Sequence, residues 1–275
     1  MSYAIPESAA NTRLTPILKS VEDRLEQRMR RRSLVELRRQ TQPEPARRKR
    51  FVNALRTASG GTGEVAVIAE CKRRSPSAGM LLDDRRLDQR AQAYADGGAA
   101  ALSILTEEDH FHGGLVELKN VAGAQLPRLR KDFIVDEYMV LESINAGADA
   151  ILLMVVCLED SLLAELRAQA AEVGLAVLLE VHNEAELERA IAVEPDCLGV
   201  NARDLTTFEV DLAHTEAMLP RIPERFVRVA ESGIYTPADV ARVAAAGADA
   251  VLVGTALMKS EDPAKLIHQF RGAGQ

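Results

Sequence analysis

Short runs dominated by apolar residues recur along the chain, and nearly every one ends in a charged or small polar residue. They cover 65–69, 100–105, 126–130, 150–158, 176–179, 197–200, 226–230 and 250–253. Continuous apolar runs of this length fit parallel strands buried on both faces. Between them lie helix-like segments at 86–96, 136–146, 161–173, 183–191, 211–219 and 237–246. Asp136, Asn183 followed by Glu186, and Thr236-Pro237 read as helix starts. Gly97-Gly98, Gly147, Gly174 and Gly247 read as helix ends. Strand–helix alternation repeated eight times predicts a parallel α/β protein. The leading expectation is a closed (β/α)8 TIM barrel, with a doubly wound open sheet as the alternative. Residues 1–63 are expected to form an N-terminal helical extension packed on a barrel of residues 64–275, a single domain overall.

A weak internal repeat fits closure. Gly147-Ala-Asp-Ala-Ile-Leu-Leu153 returns as Gly247-Ala-Asp-Ala-Val-Leu-Val253, with Gly97-Gly-Ala-Ala-Ala-Leu102 as a looser copy. Packing alone can drive helix-glycine-strand units toward the same wording. Either way the repeated unit is αβ.

Composition narrows the class. A chain of 275 residues with 47% hydrophobic and 27% charged residues is ordinary for a globular protein. No apolar stretch is long enough to span a membrane, and residues 1–20 lack signal-peptide order, which predicts a cytoplasmic protein. Cys71, Cys157 and Cys197 all fall in predicted strands and read as buried thiols. No spacing of Cys, or of His110 and His112, suggests a metal site.

Charge is uneven. Residues 1–60 hold 14 Lys and Arg against 6 Asp and Glu, and the remainder 20 against 35. The runs Arg30-Arg-Arg32 and Arg47-Arg-Lys-Arg50 could serve nucleic acid, but no aromatic residues interleave them. Leu14, Ile17, Leu18, Val21 and Leu25 keep helical spacing instead, which predicts a docked helix.

The chemistry gathers at the strand ends. Glu70 and Lys72 lie two residues apart, so they share one face of a strand that otherwise buries Val, Ile and Ala. In a barrel, functional groups sit at the C-terminal strand ends. That rule collects Glu70, Lys72, Glu107, Lys131, Glu180, Asn201, Arg203, Glu231 and Ser232 around one mouth. Interleaved lysines argue against a metal cluster, and opposed charges in a desolvated ring suit acid–base work. Ser232-Gly233 and Gly254-Thr255 follow the last two runs, where barrels bind phosphate, and Ser75 follows the first run, next to the eighth around a closed barrel. Phe111 and Phe133 stand in loops just after strands and could flank a flat apolar group.

With these residues assembled, the chain resembles the indole-3-glycerol phosphate synthase family. The likeness runs from about residue 12 to 263 and is carried by six ordered motifs. They include Ile68-Ala-Glu70-Cys-Lys72-Arg-Arg-Ser75-Pro-Ser77, Leu105-Thr-Glu107-Glu-Asp-His-Phe111 and Leu129-Arg-Lys131-Asp-Phe133-Ile. Leu179-Glu180-Val-His182, Gly199-Val-Asn201-Ala-Arg203-Asp-Leu-Thr-Thr-Phe208 and Ala230-Glu231-Ser232-Gly233-Ile234 complete the set. The basic arm is similar to the family's N-terminal extension, which lies across the barrel mouth.

The resemblance implies conversion of 1-(2-carboxyphenylamino)-1-deoxyribulose 5-phosphate to indole-3-glycerol phosphate, a carboxy-lyase reaction of tryptophan biosynthesis needing no cofactor. It implies Lys131 as general acid, Lys72 on the substrate carboxylate, Glu180 as base or as partner of positive charge on the anilino nitrogen, and Glu70 as the group that positions both lysines. Asn201 and Arg203 would orient the substrate, with Glu231 and Ser232 also in contact with it. Phosphate would rest on Ser75, Ser232, Gly233, Gly254 and Thr255, and the ring on Phe111 and Phe133. As partners it implies an anionic phosphosugar, with no nucleic acid or membrane, and a monomer or weak homodimer. Ala202 and Ala78 depart from the usual Asn and basic residue of the pattern, and neither removes a catalytic group. Three alternatives stay open. A phosphoribosylanthranilate isomerase would be expected to carry a Cys or Asp on its early strands. A specialised-metabolism paralogue would share every motif. A non-catalytic phosphate-binding barrel would keep the glycines and lose Lys72, Lys131 or Glu180.

Overall fold

The computed structural model describes residues 3–10, 12–59, 64–75, 79–80, 87–205, 207 and 209–274. Eight parallel strands close into a barrel. They are β1 (Ala66–Cys71), β2 (Ala101–Leu105), β3 (Arg128–Lys131), β4 (Ala150–Met154), β5 (Ala176–Val181), β6 (Cys197–Asn201), β7 (Val227–Glu231) and β8 (Ala250–Val253). Each pairs with the next, and β8 closes on β1 through Ala66↔Ala250 to Ala69↔Val253. The open-sheet alternative is thereby excluded. Beyond β1, Arg74–Ser75 and Gly79–Met80 form a short antiparallel ladder.

The helices between strands are α4 (Leu87–Asp96), α5 (Leu115–Asn120), α6 (Glu137–Ala146), α7 (Asp160–Val173), α8 (Glu184–Ala192), α9 (Leu212–Met218) and α10 (Pro237–Ala245), followed by α11 (Thr255–Lys259) and α12 (Pro263–Gly272). The expected starts hold. Asp136, Asn183 and Thr236 each accept a backbone N–H of the first helical turn, which would otherwise lack a partner. One expected strand is shorter than its apolar run. β4 stops at Met154, and residues 155–157 form a single 3-10 turn that carries Cys157 outside any strand. These residues are apolar because the N-terminal segment covers them. Tyr3 Oη donates to the Cys157 carbonyl at 2.7 Å, and Ser8 Oγ to that of Val156 at 2.8 Å.

The N-terminal arm divides between the two ends of the barrel. It comprises α1 (Leu14–Arg31), α2 (Leu34–Gln40) and α3 (Pro45–Ser59). As expected, α1 buries Leu14, Ile17, Leu18, Val21 and Leu25, and it lies over the C-terminal mouth. Its Arg28 pairs with Glu142 of α6 at 3.0 Å, and Arg24 with Asp109 at 2.6 Å. The expectation that the whole arm crosses the mouth fails for α3, which seals the opposite end. Phe51 and Leu55 are fully buried there. Arg48 reaches Asp196 at 2.7 Å, Arg50 reaches Asp149 at 3.3 Å, and Arg56 donates to the Arg225 carbonyl at 2.6 Å. The basic run 47–50 thus answers acidic groups at the strand starts.

Those acidic groups also explain the repeat. Asp149 and Asp249 accept a backbone N–H within the first two residues of the neighbouring strand, from Arg128 at 2.9 Å and Arg228 at 2.8 Å. Asp196 does the same for Val177 at 3.0 Å. Gly147 and Gly247, at φ 92° and 99°, leave room for the guanidinium groups of Arg128 and Arg228. The two repeat copies sit on β3/β4 and β7/β8, half a barrel apart. Asp149→Ala is expected to lower stability by about 1–3 kcal/mol in urea unfolding, since it leaves the Arg128 N–H without its acceptor and removes one of Arg50's two partners. An unchanged midpoint would contradict that role.

Candidate active site

A cavity of about 190 Å³ opens at the C-terminal ends of the strands. That is more than ten times what a single water needs, so it suits an organic ligand. The alternation that buries Val and Ile against the helices turns the last interior-facing residues of several strands into this space. Glu70 and Lys72 come from β1 and its exit, Lys131 from β3, Glu180 from β5, Asn201 from β6 and Glu231 from β7; all line the cavity.

Their charges interlock. Lys131 Nζ lies 2.7 Å from Glu231 Oε2 and 3.4 Å from Glu180 Oε2. Asn201 Nδ2 donates to Glu180 Oε1 at 2.9 Å, and Asn201 Oδ1 accepts the Arg203 backbone N–H at 3.0 Å. Lys72 Nζ sits 2.7 Å from Glu70 Oε1.

Ionisation follows from this packing. Burial pulls the Lys131 ammonium toward neutrality, but Glu231, Glu180 and Glu70 together hold its pKa well above the usual lysine value. Burial likewise opposes the charge of Glu180, and Lys131, His182 and Asn201 overcome it, holding that carboxyl well below its ordinary range. Glu70 is lowered too, because Lys72 and Lys131 outweigh its burial. Glu231 goes the other way. Burial and the nearby Glu180 charge exceed the pull of Lys131 and push it up to about 7. Two carboxylates with opposite shifts share one ammonium, which separates a permanent base from a group that titrates near neutrality.

The other wall is apolar. Phe111 and Phe133 stand 6.4 Å apart, tilted by 37°, and Leu14 and Ile17 of α1 close the mouth beside Leu205. Glu107 departs from expectation. It is buried away from the cavity, and its carboxylate accepts backbone N–H groups of Asp109, His110 and Phe111 at 3.1, 2.8 and 3.0 Å. It anchors the loop that carries Phe111.

Small residues complete the mouth. Ser232, Gly233, Gly254 and Thr255 line the cavity along with Arg203. Ser232 takes φ 64°, a left-handed conformation that costs a non-glycine residue about 1–2 kcal/mol and is held here by the turn leaving β7. At Gly254 a Cβ would lie 2.2 Å from Glu70 Oε1 and 2.8 Å from Lys72 Nζ, so the absent side chain makes room for that ion pair. Gly199 does the same for Glu231, whose Oε1 would lie 2.1 Å from a Cβ. The side chains of Ser75 and Ala78, and residues 206 and 208, lie outside the described residues.

Three contributions went unread in the sequence. Gly199 was one more glycine in a strand, and no spacing pointed to Glu231, which pairs with Asn201 two residues on and bends back over the glycine. Leu14 and Ile17 looked like ordinary core positions. His182 sat inside a motif with no assigned task. Among the described residues, no group of three or more His, Cys, Asp and Glu is placed to hold a metal ion, and no helix is long and apolar enough to cross a membrane.

Comparison with known proteins agrees with the sequence resemblance. Residues 14–270 match the family model described as indole-3-glycerol phosphate synthase. The indole-3-glycerol phosphate synthase of Polaromonas sp. strain JS666 is 48% identical over 223 residues, covering 81% of this chain and 84% of that protein. That of Nocardioides sp. is 48% identical over 208 residues, covering 75% and 80%. A thiamine phosphate pyrophosphorylase structure from Pyrococcus furiosus superposes with a TM-score of 0.57 at 17% identity, over 77% of this chain and 96% of that one, a likeness of fold alone.

Two outcomes follow from this geometry. Between the ordinary carboxylate range and pH 7, native Glu231 retains a proton that the unfolded chain has released, so its contribution to stability falls as pH rises through that window. Glu231→Gln removes this dependence. Its melting temperature relative to the parent should therefore rise from about pH 4.5 to about 7 and then level off; a constant difference would show that Glu231 titrates normally. Gly254→Ala should lower kcat at least about tenfold and lower the melting temperature too, since it parts a buried ion pair within reach of the cavity. Unchanged turnover would show that the Glu70–Lys72 geometry does not matter.

Proposed function

The chain belongs to the indole-3-glycerol phosphate synthase family, and we propose that this cavity carries out the family's ring closure on 1-(2-carboxyphenylamino)-1-deoxyribulose 5-phosphate. The observation that carries the reading is Lys131, an ammonium enclosed by carboxylates at the floor of an aromatic-walled cavity with small residues at its rim.

The substrate's ring carbon that bears the carboxylate attacks the sugar carbonyl carbon. The carbonyl electron pair moves to oxygen, which takes a proton from Lys131. An ammonium with a raised pKa is matched to an oxygen that becomes strongly basic only as the bond forms. The bond to the carboxylate then breaks, CO2 leaves, and its electrons restore the aromatic ring. The new hydroxyl departs as water, pushed by the nitrogen lone pair and protonated by Lys72 or Lys131. Glu180 accepts the remaining carbon-bound proton and faces the transient positive charge on nitrogen. Its lowered pKa keeps it ionised for both tasks. The product is indole-3-glycerol phosphate.

Binding divides among the other residues. Lys72 meets the substrate carboxylate while Glu70 holds that ammonium in place. Phe111 and Phe133 flank the aromatic ring, and Asn201 and Arg203 orient the sugar. Glu231 contacts the substrate from the cavity wall, beside the Lys131 ammonium that it shares with Glu180. Phosphate rests on Ser232, Gly233, Gly254 and Thr255, with Ser75 beside them. The protein is read as a monomer or weak homodimer working in the cytoplasm.

Purified protein mixed with the substrate should give the absorbance and fluorescence of the indole product, and Lys131→Ala should lose about 10²–10⁴-fold in kcat. Tight binding without turnover would defeat the synthase reading and favour a binding barrel or an altered substrate.

A further inference from the structure

Just beyond the end of β5, His182 lies between two carboxylates. Its Nδ1 lies 3.1 Å from Glu186 Oε2 in hydrogen-bond geometry, and its Nε2 lies 3.2 Å from Glu180 Oε1, an ion-pair distance without hydrogen-bond alignment. Its backbone N–H donates to the same Glu186 oxygen at 2.8 Å, and its carbonyl faces His214 Nε2 of α9 at 2.8 Å. Glu186 is fixed in turn. Its backbone N–H donates to Asn183 Oδ1 at 2.9 Å and its Oε1 accepts from Asn183 Nδ2 at 2.8 Å, both at the start of α8. A continuous line of polar contacts therefore runs from the start of α8 through Glu186 and His182 to Glu180. Glu180 then touches Asn201 and Lys131 inside the cavity, whereas the His182 ring does not line it.

We propose that His182 is a positioning residue, which holds the Glu180 carboxylate in register with Lys131 and Asn201 by bridging it to the start of α8. A neutral imidazole has only one N–H and would turn a lone pair toward one of the two carboxylates. A carboxylate on each side of the ring therefore favours the doubly protonated form. The groups facing it are Glu180 of β5, Glu186 of α8 and His214 of α9, with Lys131 beyond Glu180 and the Cys157 thiol near both carboxylates. Burial opposes the charge, but the two carboxylates prevail and push the ring up to about 10. The fixed positive charge behind Glu180 keeps that group an anion from the side away from Lys131.

This inference rests on the synthase reading only for its kinetic test. In the unmodified protein, ring ¹⁵N and ¹³C NMR, assigned through His182→Gln, should show both His182 nitrogens protonated up to about pH 9. Titration near the ordinary imidazole value would overturn the proposal even if the enzyme is active. In the assay, His182→Gln should lower kcat with KM within about twofold, and the loss should deepen toward pH 5. Glu180 regains protons there once its cationic neighbour is gone, and one pKa unit is worth roughly tenfold. Glu186→Gln keeps a capping side chain at its position but removes one of the two charges on the ring, so its activity should decline at lower alkaline pH than the parent's. Equal loss at every pH in both variants would mean that His182 only supports the fold, which also overturns the proposal. If the unmodified protein fails to turn over the phosphosugar, the synthase reading falls and the NMR titration alone decides the role of His182.

Discussion

Keeping one ammonium charged inside a barrel shapes most of this site. Lys131 leaves β3 into a space whose desolvation would strip its proton, and an isolated buried charge costs several kcal/mol even after relaxation. Three carboxylates from three other strands offset that cost, and each needs its own support. Glu180 is held by Asn201 and His182. Glu70 is held by Lys72 in a pocket that Gly254 leaves open. Glu231 bends over Gly199 to reach the lysine. The same contacts separate the carboxyl pKa values, so one set of charges supplies a strong anion and a carboxyl that titrates near neutrality.

The arm serves that site from both ends. At the mouth, α1 brings Leu14 and Ile17 to the cavity wall and is tied to the barrel through Arg24 and Arg28. At the other end, α3 inserts Phe51 and Leu55 while its arginines meet Asp149 and Asp196. These aspartates already accept N–H groups at the starts of β3 and β5, from Arg128 and Val177. A positive arm and an acidic barrel bottom are two halves of one contact, which is why the uneven charge of the sequence needs no nucleic acid to account for it.

Most catalytic candidates were legible because barrel geometry is periodic. Once eight strands were counted, the charged residue at each strand end could be assigned to the mouth, and Glu70, Lys72, Lys131, Glu180, Asn201 and Glu231 all line the cavity. Glu107 broke the rule. It obeys the spacing, but three backbone N–H groups of its own loop claim the carboxylate, and that competition is invisible in a linear pattern. Residues 155–158 were misread for a related reason: an apolar run reports burial, and here the burying surface is the N-terminal segment instead of a neighbouring strand.

By itself the sequence determined the strand count, the parallel α/β class with a barrel as its leading form, three helix starts and most of the chemical inventory of the mouth. These follow from periodicity and from residue types with fixed local preferences. Only the tertiary structure decided which carboxylate takes which lysine, why Gly199 and Gly254 carry no side chain, which end of the barrel each arm helix covers, and that His182 stands behind Glu180. Those outcomes depend on distances of a few ångströms between residues far apart in the chain, and on which charge loses its water. Neither is written in the spacing of a sequence.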